Sequence, residues 1–163
     1  RTPSNSLYVE FFDACGANVN PMNFSEVYNA LQLNTLDGQE NPVDVPATNN
    51  FYEVQKYISA TNHIADAWVV GMNSAKLSGL SEDQQNALRQ AAEECQQWYV
   101  DYQAEKDGEM LQLLTDNGME YNELTEEGFN QFVEISQSLY PTFKTLVEND
   151  ELFDTTVEFC GKA

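Results

Sequence analysis

Positive charge is scarce in this chain, which has 7 lysine and arginine residues against 27 aspartate and glutamate residues and a net charge of −20. A surface of this kind repels the phosphates of nucleic acids and the anionic headgroups of membranes. We therefore expect neither a nucleic acid nor an anionic membrane surface to be a binding partner.

Long apolar runs are also missing. No stretch approaches the roughly 20 apolar residues that a helix needs to cross a bilayer, and no charged segment followed by an apolar one stands at the start. We expect a chain that does not itself span a membrane. Because it opens at Arg1 without a methionine, we expect that residue to be a boundary within a longer protein.

Residues that carry chemistry are few. The three cysteines Cys15, Cys95 and Cys160 lie far apart and match no metal or CxxC spacing, so an odd count leaves at least one free thiol or an intermolecular disulfide. His63 is the single histidine, and motifs such as GxSxG, HExxH and the P-loop are absent. We expect no enzyme activity, no metal and no cofactor.

Aromatic residues make up 12% of the chain and hydrophobic residues 42%, as in a folded domain rather than a disordered acidic one. Helical spacing of apolar residues predicts helices over residues 6–14 and 24–33. We expect a loop over residues 42–50. Short β-branched runs predict buried strands at residues 56–58 and 67–72.

A very long helix is indicated after Ser81. Ser81 and Gln84 form a capping-box pattern, and apolar residues then recur at helical spacing to Leu114 before Gly118 ends the helix. About 35 residues at 1.5 Å each give about 52 Å, longer than a domain of this size is wide. Such a helix must cross between two lobes or project from one.

Further helices are predicted from Thr125, which suits an N-cap, and over residues 152–160, with Pro141 interrupting the first of them. Helices and strands are thus mixed along the chain. The fold class is therefore α/β.

One group of segments resembles a known family. It comprises RTP at 1–3, PMNFSEVYNALQ at 21–32, LDGQENP at 36–42, FYEVQKY at 51–57 and TNH at 61–63. Together these closely resemble the solute-binding proteins of tripartite ATP-independent periplasmic (TRAP) transporters, of the dicarboxylate and sialic-acid type (DctP family). The DGQENP sequence is the most specific part.

The resemblance implies a bilobal periplasmic-binding-protein fold, type II-like, whose α/β lobes close on a ligand and share one long helix that spans them. The family's chains are longer, so we expect this chain to be their C-terminal half. Residues 1–66 would form a second-lobe segment with the ligand clamp, 67–106 would contact the first lobe, and 107–163 would pack on the second lobe.

The resemblance also implies a site. Arg1 would form a bidentate salt bridge with a ligand carboxylate, because a planar guanidinium matches a carboxylate with two parallel bonds. Asn41 would donate to the same carboxylate, and Phe24 would pack against the ligand body. Glu40 and His63 would hold the arginine in place, so that less side-chain entropy is lost on binding.

These residues also have plainer interpretations. His63 could be a structural or hydrogen-bonded residue. Arg1 could be a terminal side chain without a role, and Glu40 and Asn41 could be turn residues. Phe24 fits equally well as a core residue on a helix face, and we expect Met22 to be core.

The function implied is that of an extracytoplasmic receptor, periplasmic or a cell-surface lipoprotein in a Gram-positive organism. It would capture a small carboxylate and deliver it to the membrane subunits of a TRAP transporter. Ser4, Asn5 and Asn23 depart from the sialic-acid members and argue against that ligand. The alternatives are a ligand-sensing input domain for a signalling partner and an enzyme that uses His63.

Overall fold

The computed structural model describes residues 1–65 and 69–161 of the 163, without the side chain of residue 104. In these ranges helices and two strands are mixed along the chain, which confirms the α/β class. The elements are α1 Ser6–Ala14, α2 Phe24–Gln32, α3 Asp44–Thr48, a 3-10 turn Phe51–Glu53, β1 Tyr57–Ala60, α4 Ser74–Ser78, α5 Glu82–Asp116, β2 Glu120–Glu123, α6 Glu126–Ser138, α7 Tyr140–Val147 and α8 Asp150–Phe159.

The chain divides into two compact units. Unit 1 comprises Arg1–Asn41, Glu53–Thr61 and Glu120–Ala163, and unit 2 comprises Pro42–Tyr52 and Asn62–Met119. The division into segments 1–66, 67–106 and 107–163 stays a prediction.

Side-chain caps begin the helices at the predicted places. Ser81 accepts from the backbone N–H of Gln84, and the Gln84 side chain accepts from the N–H of Ser81, so the capping box is confirmed. Thr125 accepts from the N–H of Gly128 at 3.1 Å and begins α6. These bonds satisfy N–H groups that the first helical turn leaves without partners.

Helix α1 ends before Gly16, whose φ of +87° lies in the left-handed region that glycine adopts without strain. Its Phe11 is buried and packs against Phe132 of α6, with ring centroids 5.8 Å apart. Residues Val27, Ala30 and Leu31 are the buried face of α2. Both predicted helices are confirmed, the second ending one residue early.

The sheet of unit 1 is a single parallel pair. Tyr57 to Ala60 align with Glu120 to Glu123, and the N–H of Glu120 donates to the Lys56 carbonyl at 2.8 Å. Strand β1 overlaps the strand predicted at 56–58. Strand β2 was missed, because its residues EYNE are polar and all exposed and carry no apolar alternation.

Two predictions were wrong. Residues 42–50 contain α3, whose Pro46 and Ala47 are buried, instead of a loop throughout. Of the predicted strand at 67–72, residues 67 and 68 lie outside the described ranges, and residues 69–72 form no strand. Val69 and Val70 are 88% and 97% exposed, and an apolar run becomes a strand only beside a partner strand.

Helix α5 in unit 2 has 35 residues, as predicted. Its exposed surface carries repeated glutamine-to-acid hydrogen bonds four residues apart, each of which adds a few tenths of a kcal/mol to a helix. The pairs are Gln90–Glu94, Gln97–Asp101, Gln103–Asp107 and Gln112–Asp116. Helix α3 packs against α5, and Phe51 and Leu114 are the most deeply buried side chains of this unit.

In the portion that the structure covers, no helix is both long and apolar enough to cross a membrane. Cys15, Cys95 and Cys160 are free cysteines. Cys15 is half-buried, and this burial raises the pKa of its thiol, whereas Cys95 and Cys160 are exposed.

The cysteines should therefore react at different rates. At neutral pH we expect iodoacetamide to label Cys15 several times more slowly than Cys95 or Cys160, because a raised pKa leaves less thiolate and burial limits access. Peptide mapping by mass spectrometry measures the three rates. In urea the rates should converge; equal rates in the folded chain would contradict the burial of Cys15.

Candidate functional site

Arg1 is tied to two other segments of unit 1. Its backbone nitrogen donates to the Gly38 carbonyl at 2.8 Å, and its Nε donates to the Met22 carbonyl at 3.1 Å. The adjacent Thr2 forms a parallel bridge with Pro21 and accepts from the N–H of Met22 at 3.2 Å. Arg1 is thus held by hydrogen bonds to residues far along the chain. Met22, predicted to be core, is half-buried.

The bond to Met22 engages the inner N–H of the guanidinium and sets the plane of the group. The terminal N–H groups are the ones that grip a carboxylate in a bidentate pair. Burial lowers the pKa of the Arg1 guanidinium, and the carboxylate of Glu40 acts in the opposite direction. Arginine nevertheless stays charged throughout the physiological range.

Phe24, the first residue of α2, lies beside this cation. The guanidinium carbon of Arg1 is 6.0 Å from the centroid of the Phe24 ring, at the outer limit of a cation–π contact. Phe24 is 41% exposed, whereas Val27 on the buried face of the same helix is 0% exposed. The structure therefore brings Phe24 to Arg1 and leaves much of its ring open to solvent.

Asn41 is held by two glutamine side chains that were not among the predicted site residues. Asn41 Nδ2 donates to Gln39 Oε1, and Gln39 Nε2 donates to Gln55 Oε1 at 3.3 Å. All three residues are half-buried. Gln39 lies within the DGQENP sequence, and Gln55, sixteen residues further on, lies within FYEVQKY at 51–57. Both segments carry the family resemblance, which was the available signal.

His63 belongs to unit 2, whereas Arg1, Phe24, Glu40 and Asn41 belong to unit 1. The His63 side chain is partly exposed, with its Nε2 atom shielded from solvent. Support of Arg1 by His63 stays a prediction.

A cavity of about 460 Å³ opens beside Arg1, within the size range of small-ligand pockets. Its lining includes Arg1, Thr2 and residues 17–20 and 35–40, and does not include Phe24 or Asn41. Thr2 is 2% exposed, and its Oγ1 has no hydrogen-bond partner among the described residues. Across the described ranges, no cluster of histidine, cysteine, aspartate or glutamate side chains is suited to hold a metal ion.

The exposure of Phe24 separates its two interpretations. We expect Phe24→Ala to change the free energy of unfolding by less than about 1 kcal/mol, because the ring is not core. Val27→Ala on the same helix should cost about 2 kcal/mol. Urea unfolding followed by circular dichroism measures both. If both variants lost the same free energy of unfolding, Phe24 would be a core residue.

The chain is similar to known proteins over most of its length. The family model for bacterial extracellular solute-binding protein, family 7 (DctP) matches residues 1–146. The 2,3-diketo-L-gulonate-binding periplasmic protein YiaO of Escherichia coli is 36% identical over 120 residues, covering 74% of this chain and 37% of that protein. The sialic acid-binding periplasmic protein SiaP of Vibrio cholerae is 31% identical, covering 88% of this chain and 44% of that protein.

The fold agrees with a solved structure. A TRAP periplasmic solute-binding protein of Haemophilus influenzae with bound L-gulonate superposes with a TM-score of 0.87 at 28% identity, covering 97% of this chain and 52% of that one. This chain spans about half the length of the relatives that it matches. Since the family model matches most of the sequence, the chain belongs to the DctP family of bacterial extracellular solute-binding proteins, which are binding proteins and not enzymes.

Proposed function

We propose that this chain carries the carboxylate clamp of a TRAP-type solute receptor, with Arg1 as the residue that binds the acid group of the ligand. The observation that carries the proposal is the hydrogen bond from Arg1 Nε to the Met22 carbonyl, which orients the guanidinium. A cation oriented before the ligand arrives loses less side-chain entropy on binding.

The neighbours of Arg1 suit this role. Phe24 offers an apolar surface within 6.0 Å of the guanidinium carbon, against which the body of a ligand can pack. Glu40 compensates part of the cost of burying the cation. Asn41 adds an amide donor for the same carboxylate.

The ligand we propose is a small organic acid of the sugar-acid kind. The relatives are named for 2,3-diketo-L-gulonate and sialic acid, and the solved structure holds L-gulonate. Each of these ligands has one carboxylate on a polyhydroxylated carbon chain. One arginine with one amide donor is sufficient to hold one carboxylate.

Charge places a condition on recognition. At a net charge of −20 the surface repels an anion, and salt limits this repulsion to a Debye length of about 8 Å. The ligand must therefore be recognised by local contacts in a sheltered site. Arg1 is one of only two arginines in the sequence.

We propose that the protein acts outside the cytoplasm and delivers the acid to the membrane subunits of a TRAP transporter. The support is family membership together with the periplasmic relatives.

The free energies of the available hydrogen bonds predict that this chain alone binds its ligand weakly. Hydrogen bonds to a charged group contribute about 1.5 to 3 kcal/mol each, whereas micromolar affinity requires about 8 kcal/mol. Two or three such bonds, less the cost of association, correspond to a dissociation constant on the order of millimolar. The remaining contacts and the exclusion of water would have to come from a second lobe.

The test is an NMR titration of the 163-residue chain with L-gulonate. We expect millimolar binding that perturbs the Nε–H resonance of Arg1. Arg1→Lys should weaken it roughly tenfold because a lysine has no bidentate fork, and Arg1→Ala should abolish it. Arg89→Ala, which removes the other arginine, is the matched control and should leave binding unchanged.

Two results would count against the clamp. Shifts that survive Arg1→Ala would locate the carboxylate elsewhere, and a titration without any shift would remove the site altogether. Micromolar affinity for an organic acid by calorimetry would show that this chain binds its ligand without a second lobe.

A further inference from the structure

We propose that Gln39 is a positioning residue for Asn41, and that it sets which face of the Asn41 amide meets the ligand carboxylate. The inference rests on the proposed function, because it gives Asn41 its orientation at that site. It comes from a chain of three side-chain amides, Gln55, Gln39 and Asn41, which we call the amide relay.

The relay connects a turn to the sheet of unit 1. Gln39 donates through Nε2 to Gln55 Oε1 at 3.3 Å, and through Oε1 it accepts from Asn41 Nδ2. Gln55 immediately precedes Lys56, whose carbonyl accepts from the N–H of Glu120 at the start of the β1–β2 pair. The far end of the relay is thus attached to regular structure, whereas Asn41 lies outside any helix or strand.

A side-chain amide has different chemistry at its two ends, a carbonyl acceptor and an NH₂ donor. Because Gln39 donates to Gln55, the atom that it turns towards Asn41 is an acceptor. Asn41 must therefore turn its NH₂ group, which is the donor, towards Gln39. If Gln39 were reversed, Asn41 would turn its carbonyl oxygen to Gln39 and its amide would point the other way.

This polarity matters to an anion. One hydrogen of Asn41 Nδ2 bonds Gln39, and the second hydrogen on the same nitrogen can donate to a carboxylate. An unheld asparagine would also sample the orientation that offers its carbonyl oxygen, which repels a carboxylate. All three residues are half-buried, so bulk water competes less for their hydrogen bonds than at an open surface.

The expected effect on affinity is modest. Immobilising one polar side chain on binding lowers affinity by roughly threefold to tenfold, and this is the loss that the relay avoids by ordering Asn41 beforehand. Removing Gln39 should therefore weaken binding by about that factor, and removing Gln55, which acts through Gln39, by less.

The first experiment tests the relay without any ligand. In the 163-residue chain, a scalar coupling across the hydrogen bond should join Asn41 Nδ2 to the side-chain carbonyl carbon of Gln39. Gln39→Met, of similar length but without polar atoms, should abolish it, and Gln55→Met should reduce it. Gln112→Met on α5, which loses only its bond to Asp116, is the control and should leave it intact. No coupling in the unmodified chain would overturn the inference.

The second experiment is a double-mutant cycle with L-gulonate in the same NMR titration. We expect Gln39→Met to weaken binding roughly threefold to tenfold in the unmodified chain and to have no further effect after Asn41→Ala, since a positioning residue acts only through the residue it positions. Equal losses in both backgrounds would overturn the inference, as a general structural defect behaves that way.

The two proposals fail in different ways. If the coupling is present but neither the unmodified chain nor any variant shows shifts with L-gulonate, the proposed function is wrong. Gln39 then has no role in binding. If L-gulonate binds through Arg1 but Gln39→Met leaves its affinity unchanged, the clamp stands and only the relay is refuted.

Discussion

The 3.1 Å hydrogen bond from Arg1 Nε to the Met22 carbonyl is the contact on which the candidate site depends. It holds a half-buried cation against a segment twenty-one residues away along the chain, while the backbone of Arg1 is held by Gly38. The turn after α1, the start of α2 and the DGQENP segment must all be in position for these bonds to form. The site is therefore a product of the packing of unit 1 rather than of any one element.

The acidity of the chain makes such local organisation necessary. At a net charge of −20 the protein has no long-range attraction for an anion, so every favourable term must come from contacts within a few ångströms. A guanidinium pre-oriented by a backbone carbonyl and compensated by Glu40 satisfies that condition. The amide relay would extend the same principle to Asn41, because ordering a donor in advance lowers the entropy lost on binding.

Secondary structure followed the sequence where the signal was local. Ser81 with Gln84 and Thr125 begin helices because a side-chain oxygen reaches the backbone N–H groups of the next turn, and such bonds depend on adjacent residues alone. Strand β2 was missed because its polar residues acquire strand geometry only through pairing with β1. The predicted strand was wrong at residues 69–72 for the converse reason, since Val69 and Val70 are exposed and pair with no strand among the described residues.

The sequence by itself determined the family, the α/β class and the helix starts, and it placed all five candidate residues in segments that carry the family resemblance. Only the tertiary structure decided that Phe24 lies beside Arg1 with its ring partly exposed, that Gln39 and Gln55 contact Asn41, and that His63 falls in the other unit. The reason is that caps and periodic faces arise from neighbouring residues, whereas a hydrogen bond between side chains sixteen residues apart leaves no periodic mark in the sequence.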